Sequence, residues 1–309
     1  MILTCGLSPA WQHIMVVDEL LPGEVNRATE IHWCASGKVL NAAIAISHLG
    51  GSGHVVSVLG GPRRKDIEQE FEGRELAATW VTTASPTRVC TTIIDSGGAA
   101  ATELVENAGE LQEMEWRAFE AACRDIEQPP DLALMMGSIP RGVPGEIYRE
   151  ILEFLPARGI LDLSGAELLE AVRAEPFLIK PNHGELERTL GRELKNEGEV
   201  LKAMRGLNDL GAGWVVVTAG GKPTLASSGG KSFRFLPPEV ERVNSIGCGD
   251  CMSGALAVAL DEGLEPLEAI RFGMGAAADN LGQVLMGRLD RERVELLAER
   301  VRIEEIAPA

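Results

Sequence analysis

The sequence predicts an α/β fold: a central, mostly parallel sheet flanked by helices, with a small second sheet attached. Three observations predict it. Short apolar, β-rich runs recur at Val55–Leu59, Leu132–Met136, Gly159–Leu163, Phe177–Lys180 and Trp214–Thr218. Helical patterns over Lys38–Leu49, Val143–Leu155 and Asn196–Leu210 lie among them, an alternation that builds βαβ units. Two other stretches, Trp11–Cys34 and Arg88–Val105, alternate apolar and polar residues without a helix, as antiparallel strands with one wet face do.

The elements follow in order. Met1-Ile2-Leu3-Thr4-Cys5-Gly6 has no basic n-region and reads as a buried opening strand, not a signal peptide. Asp95-Ser96-Gly97-Gly98 reads as a hairpin turn between two strands of the small sheet. The two insertions, about 11–34 and 88–105, are expected to form a lid at the C-terminal edge of the parallel sheet. From about Gly249 to Ile303 the pattern is almost entirely helical. With 309 residues and no interdomain linker, one domain spanning 1–309 is expected.

A net charge of −17 argues against binding nucleic acid or an anionic membrane surface, since both demand a basic face. No apolar run approaches the roughly 20 residues that span a bilayer. Six scattered cysteines do not make a disulfide scaffold, and a cytoplasmic location is expected. Cys248-Gly-Asp-Cys251 has CxxC spacing, but no second pair or nearby histidine completes a zinc site.

Chemistry concentrates in Ser245-Ile246-Gly247-Cys248-Gly249-Asp250, a glycine-bounded turn running into an apolar helix. Glycines let the backbone approach an anion, and a helix N-terminus presents unpaired N–H groups to it. A carboxylate beside such a nest repels an incoming phosphate, so Asp250 needs a reason. As a general base it would take a proton from a hydroxyl while the amides hold a phosphoryl group. The competing reading is a helix N-cap. Gly37-Lys38 lacks the flanking residues of a Walker A loop. Gly273-Met-Gly-Ala-Ala-Ala278 fits a dinucleotide fingerprint only in letters, since it lies within a helical stretch and reads as close helix packing.

Ala35-Ser-Gly-Lys-Val-Leu-Asn41, Gly137-Ser138-Ile-Pro140, Lys180-Pro-Asn182-His-Gly-Glu185 and the Gly247–Asp250 turn share order and approximate spacing with one family. The chain resembles the ribokinase-like PfkB carbohydrate kinases, in the branch of 1-phosphofructokinase and tagatose-6-phosphate kinase. The resemblance spans nearly the whole chain. It implies a ribokinase-like fold, ATP with Mg²⁺, and a lid that often builds a homodimer. The implied reaction is phosphoryl transfer to a hydroxyl of a sugar phosphate of the fructose-1-phosphate, fructose-6-phosphate or tagatose-6-phosphate class.

Residue by residue, the resemblance makes Asp250 the base and the Gly247, Cys248 and Gly249 amides an anion hole. Asn182 and Glu185 would organise Mg²⁺ and its waters, Glu185 indirectly through water. Thr218 and Gly220 match the nucleotide loop, as do the small residues around Ala277 and Asn280. Gly37, Lys38 and Asn41 fall where the family contacts sugar hydroxyls. Arg88 would grip the acceptor's own phosphate with Ser138 as a second contact, a guanidinium suiting phosphate through paired bonds. Arg27 is a weaker candidate, better explained as a solvated charge. Of the five histidines only His183 lies near the implied chemistry, and a surface role suits it better.

Three positions depart from the pattern. Gln12 stands where the family usually has Asp; it accepts hydrogen bonds but is neutral and brings donors of its own. Val39 replaces a glycine and is expected to crowd the sugar, and Pro223 replaces a glycine of the nucleotide loop. Two alternatives therefore stand beside the main reading: a kinase of an unphosphorylated sugar or nucleoside, and a sugar- or nucleotide-binding relative without turnover. Asp250, near a helix N-terminus, is expected to stay ionised.

Overall fold

A computed structural model describes residues 1–98 and 100–306; Ala99, within the second expected insertion, and residues 307–309 lie outside the described residues. The elements run β1 (Ile2–Gly6), β2 (Ala10–Val17), β3 (Glu30–Ser36), α1 (Lys38–His48), β4 (Gly53–Gly60), α2 (Arg64–Phe71), β5 (Leu76–Thr83), β6 (Arg88–Asp95) and β7 (Ala100–Val105). Next come α3 (Glu113–Arg124), β8 (Leu132–Met136), α4 (Ile147–Phe154), β9 (Arg158–Asp162), α5 (Gly165–Ala171), β10 (Leu178–Ile179), α6 (His183–Leu190) and α7 (Glu197–Asp209). The chain closes with β11 (Trp214–Val217), β12 (Thr224–Ser228), β13 (Lys231–Leu236), α8 (Cys248–Asp261), α9 (Pro266–Leu281), α10 (Arg291–Glu299) and β14 (Arg302–Ile306).

β1 is buried at every position because it lies inside the 10-stranded main sheet, ordered β14-β13-β12-β11-β10-β9-β8-β1-β4-β5. From β5 across to β11 all neighbours pair in parallel. The two-residue periodicity of these strands sorts side chains into two layers. Leu132, Leu134 and Met136 pack with α1, α8 and α9, whereas Ala133 and Met135 face the side of α3, α4 and α7. Each leucine buried in this way contributes about 1.5–3 kcal/mol. α1 and α8 are apolar nearly all round because neighbours cover them on every side.

Close packing accounts for the glycines of α9. A Cβ on Gly273 would stand 2.9 Å from the Met252 carbonyl oxygen, and one on Gly275 would stand 2.8 Å from the Ala298 nitrogen. Helix packing, not nucleotide approach, is what these glycines serve.

Three expectations need correction. The helix predicted from Val143 begins at Ile147, since Pro144 occupies the turn whose carbonyl accepts the Ile147 N–H. The C-terminal end is not helical to Ile303: β14 closes the sheet beside β13, with Arg234 on Glu304 (3.1 Å) and Lys231 near Glu305 (3.5 Å) across the pair. The accessory sheet, ordered β3-β2-β6-β7, is antiparallel at β2–β3 and β6–β7 but parallel at β2–β6. β2 follows β1 and β6 follows β5, so both leave the same edge of the parallel sheet in the same direction. Among the described residues no helix is long and apolar enough to cross a membrane.

Candidate active site

Four chain segments meet at the C-terminal edge of the parallel sheet, where open α/β folds place ligands. Gly37 turns β3 into α1 with φ +85°, and a Cβ there would fall 2.8 Å from the Ser8 carbonyl oxygen, so both conformation and space require glycine. Gly247 caps α8 at φ +76°, with Met286 Cγ 2.7 Å from where its Cβ would stand. Between these turns lies a cavity of about 370 Å³, roofed from the accessory sheet by Gln12, Arg88 and Glu103.

Asp162, at the end of β9 and fully buried, organises one wall. Its Oδ1 accepts from Lys38 Nζ (2.6 Å); its Oδ2 accepts from Lys180 Nζ (2.8 Å) and Ser253 Oγ (2.8 Å). Lys38 also reaches Glu185 Oε1 (2.7 Å). The two ammonium groups hold the Asp162 carboxyl well below the usual carboxylate range despite its burial. Burial opposes the charged form of Lys38, but the carboxylates of Asp162 first and Glu185 next raise its ammonium well above the usual lysine range.

Asp250 faces the same cavity from the third position of α8. The helix has Gly247 as its N-cap, and the Asp250 carboxylate accepts from Asn41 Nδ2 (2.8 Å), so the capping reading fails. The first amides of α8 have no intrahelical acceptors. Lys180 Nζ lies 3.6 Å from where a Gly249 Cβ would stand, so a cation backs these amides. Burial first, then the Asp162 charge, pushes the Asp250 carboxyl up; Lys38, Asn41 and Lys180 oppose the rise. The helix N-terminus therefore does not dominate its ionisation.

A second cavity of about 600 Å³ opens beside the first, and Asn182 and Thr218 line both. Asn182 caps α6 by accepting the Glu185 N–H, while Glu185 Oε2 accepts the Asn182 N–H (each 2.8 Å). A backbone bridge ties Asn182 to Thr218, and His183 N–H donates to the Thr218 carbonyl (2.8 Å). Gly220, Pro223, Lys195 and Lys222 line this second cavity. A helix start with unpaired amides, a buried carboxylate and a second cavity joined to the first are parts that transfer of a group between two ligands would need.

The model of the pfkB family of carbohydrate kinases matches residues 5–287. The chain belongs to that family. These kinases phosphorylate sugars with ATP. The chain is similar to a protein called D-tagatose-1-phosphate kinase from Klebsiella oxytoca, at 28% identity over 99% of this chain and 100% of the relative. It is also similar to 1-phosphofructokinase from Haemophilus influenzae, at 28% identity over 98% and 97%. Phosphofructokinase-2 from Escherichia coli, crystallised in complex with substrates and products, superposes with a TM-score of 0.87 at 26% identity over 96% and 98% of the two chains. A possible 1-phosphofructokinase from Thermotoga maritima shares the ribokinase-like fold, with a TM-score of 0.88 at 20% identity over 99% of each chain.

Within this pfkB protein the expected site residues take distinct places. Gln12, Gly37, Lys38, Asn41, Arg88, Asn182, Glu185, Thr218, Gly247, Gly249 and Asp250 converge on the first cavity. Gln12 Nε2 is engaged by Thr92 Oγ1 (2.8 Å), and the Asn41 Oδ1 has no partner among the described residues. Arg88 spends its guanidinium on the carbonyls of Ser8 (3.1 Å), Pro9 (3.3 Å) and Glu106 (3.0 Å). Ser138 does not line either cavity and donates to Ser8 Oγ (3.3 Å). Arg27 is exposed and lines neither cavity.

Asn280, expected beside the nucleotide, lies instead buried beneath the glycine turn that opens α8. Its Nδ2 donates to the Ile246 carbonyl (3.0 Å) and its Oδ1 accepts the Gly287 N–H (3.0 Å). Val39 does not crowd the cavity: it is buried with its Cβ against Gly6. Cys248 and Cys251 are free thiols, and among the described residues no metal-ligating cluster forms around them. Sequence reasoning missed Asp162, Ser253, the role of Lys180, and Glu103, whose carboxyl is raised by desolvation and then by the Asp250 charge. Only Lys180 stood inside a motif.

Asp162→Asn leaves the buried Lys180 ammonium without a carboxylate and Lys38 with Glu185 alone, and should cost about 3–5 kcal/mol near neutral pH. Because the folded carboxyl is depressed, its contribution is present above the unfolded value of about 4 and is lost as pH falls toward the folded one. Denaturant unfolding should therefore show a gap between the two proteins at pH 7 that narrows below about pH 4. A gap independent of pH would contradict this.

Proposed function

We propose that the chain transfers the γ-phosphoryl group of ATP to a hydroxyl of a phosphorylated ketohexose or close relative. One observation carries it: Asp250 faces a cavity at the amide-lined start of α8, and that cavity joins a second one at Asn182 and Thr218. The acceptor belongs in the first cavity and the nucleotide in the second. Asp250 takes the proton of the attacking hydroxyl as the bond to phosphorus forms, and its raised carboxyl makes it a stronger base than an ordinary aspartate. The Gly247, Cys248 and Gly249 amides, backed by Lys180, take up charge on the transferring group. Asn41 aligns Asp250 and offers its free Oδ1 to a sugar hydroxyl.

The residues at the seam fit a divalent cation. Asp162 and Glu185 already share one positive charge, the Lys38 ammonium, and both are hard oxygen donors. Glu185 and Asn182 would hold Mg²⁺ through water, and the ion supplies charge neutralisation at the phosphate oxygens. The accessory sheet acts as a lid that keeps water from the reaction. Its outer face carries exposed Ile31, Trp33 and Leu104, with His13 stacked on Trp33 at 4.0 Å, and this apolar face supports a homodimer through the lid.

The sugar-phosphate assignment draws on Arg88 at the cavity and on the names of the relatives. A second reading, an unphosphorylated sugar or nucleoside as acceptor, is favoured by one observation: three backbone carbonyls already occupy the Arg88 guanidinium.

Asp250→Asn should lower kcat by roughly 10²-fold or more while ATP still binds. In the wild type the acidic limb of kcat/KM should lie above the ordinary carboxylate range, because a base with a raised pKa is silenced at higher pH. Near-normal turnover by the variant would remove Asp250 from the reaction. Arg88→Ala should raise KM for a phosphorylated acceptor roughly tenfold or more, the loss of a charge-assisted contact, and leave KM for ATP unchanged. An unchanged acceptor KM would favour the second reading. Sedimentation of the wild type should give about twice the 33.1 kDa of one chain, and Ile31→Arg should give one chain. A monomeric wild type would refute pairing through the lid.

A further inference from the structure

Behind the acceptor wall lies a charged cluster that takes no part in the chemistry above. Glu70, on α2, divides its carboxylate between two places. Oε2 accepts the backbone N–H of Ala35 (2.5 Å), at the end of β3, and Oε1 accepts from Arg288 Nη2, with Arg74 at 3.6 Å. Ala35 is followed by Ser36 and Gly37, which line the cavity, and then by the start of α1 with Asn41.

Arg288 ends a short segment that touches both cavity walls. Met286 packs against Gly247, the N-cap of α8. Gly287 has φ +77°, and a Cβ there would stand 3.0 Å from the Asn41 carbonyl oxygen and 2.9 Å from Ile44 Cγ2. Its N–H runs to Asn280 Oδ1, and Asn280 Nδ2 runs on to the Ile246 carbonyl in the anion-binding turn. A continuous chain of contacts thus leads from the root of the lid, through Glu70 and Arg288, to the turn that precedes Asp250. Packing alone does not explain the pair: Arg288 Nη1 is buried with no acceptor among the described residues, a cost that an apolar side chain would avoid.

We infer that Glu70 and Arg288 are positioning residues that hold the Ser36–Asn41 wall in register with the Gly247–Gly249 turn. Its kinetic consequence rests on the phosphoryl-transfer reading; its structural consequence does not. In-line attack tolerates little misplacement, and an error of about 1 Å costs on the order of 10²-fold in rate.

The test combines kinetics with hydrogen exchange on Glu70→Gln and Arg288→Lys. With Mg-ATP and a stimulating acceptor, Glu70→Gln should lose at least tenfold in kcat with KM for ATP within about twofold, and should release more ADP without acceptor; Arg288→Lys, which keeps the charge, should lose less. In the protein alone, amide exchange in Glu70→Gln should quicken both around Ala35 and in peptides containing Ile246 and Gly287. If Glu70→Gln does not fold, Glu70→Asp, which keeps the charge and shortens the reach, carries the same measurements. Faster exchange confined to the Ala35 region, or a folded variant with kcat within twofold of wild type, would overturn the proposal. If no acceptor stimulates the wild type, the phosphoryl-transfer reading fails, and exchange alone decides whether the two walls are coupled.

Discussion

The Asp162 carboxylate is the interaction on which the site depends, because it lies at the meeting point of elements distant in sequence. Lys38 begins α1, Lys180 follows β10, Ser253 lies on α8, and all three donate to one buried side chain at the end of β9. A buried carboxylate alone would be costly, and so would the buried Lys180 ammonium. Together they compensate one another only when the three chain segments are in place. The arrangement thereby fixes where α1 and α8 start relative to the sheet, and those two starts form two walls of the first cavity.

The same network sets the character of Asp250. Burial and the neighbouring Asp162 raise its carboxyl, and Lys38, Asn41 and Lys180 keep the rise in check. A carboxyl raised in this way is a stronger base than an ordinary aspartate, which suits the proton removal proposed for it. The first amides of α8 need no titration to meet an anion, and the Lys180 ammonium stands close behind them. Sheet topology does the rest: both cavities open at the strand C-termini, where the accessory sheet can cover one of them.

Much of this was legible in the sequence. Apolar runs located the parallel strands, and their alternation with helices gave the sheet its layers. Glycine turns and short motifs gathered most cavity residues. What the sequence could not yield was mostly long-range. Asp162 is one aspartate at a strand end with no motif around it, and two of its three partners lie 124 residues before it and 91 after it. Asn280 reads as a ligand residue in its helix, but the Gly287 N–H takes its Oδ1 and the Ile246 carbonyl takes its Nδ2. Val39 reads as an obstruction because one cannot see from the string that α1 turns it inward onto Gly6. β14 was missed because its charged side chains belong to an edge strand, whose pattern resembles a solvated helix.

The measurement that tests the central claim most directly is ADP release by the purified protein with Mg-ATP across sugars, sugar phosphates and nucleosides, each against a blank without acceptor. A ketohexose phosphate should stimulate release well above the blank and above any neutral sugar or nucleoside. No stimulation across the panel, with ATP binding retained, would contradict phosphoryl transfer at this site.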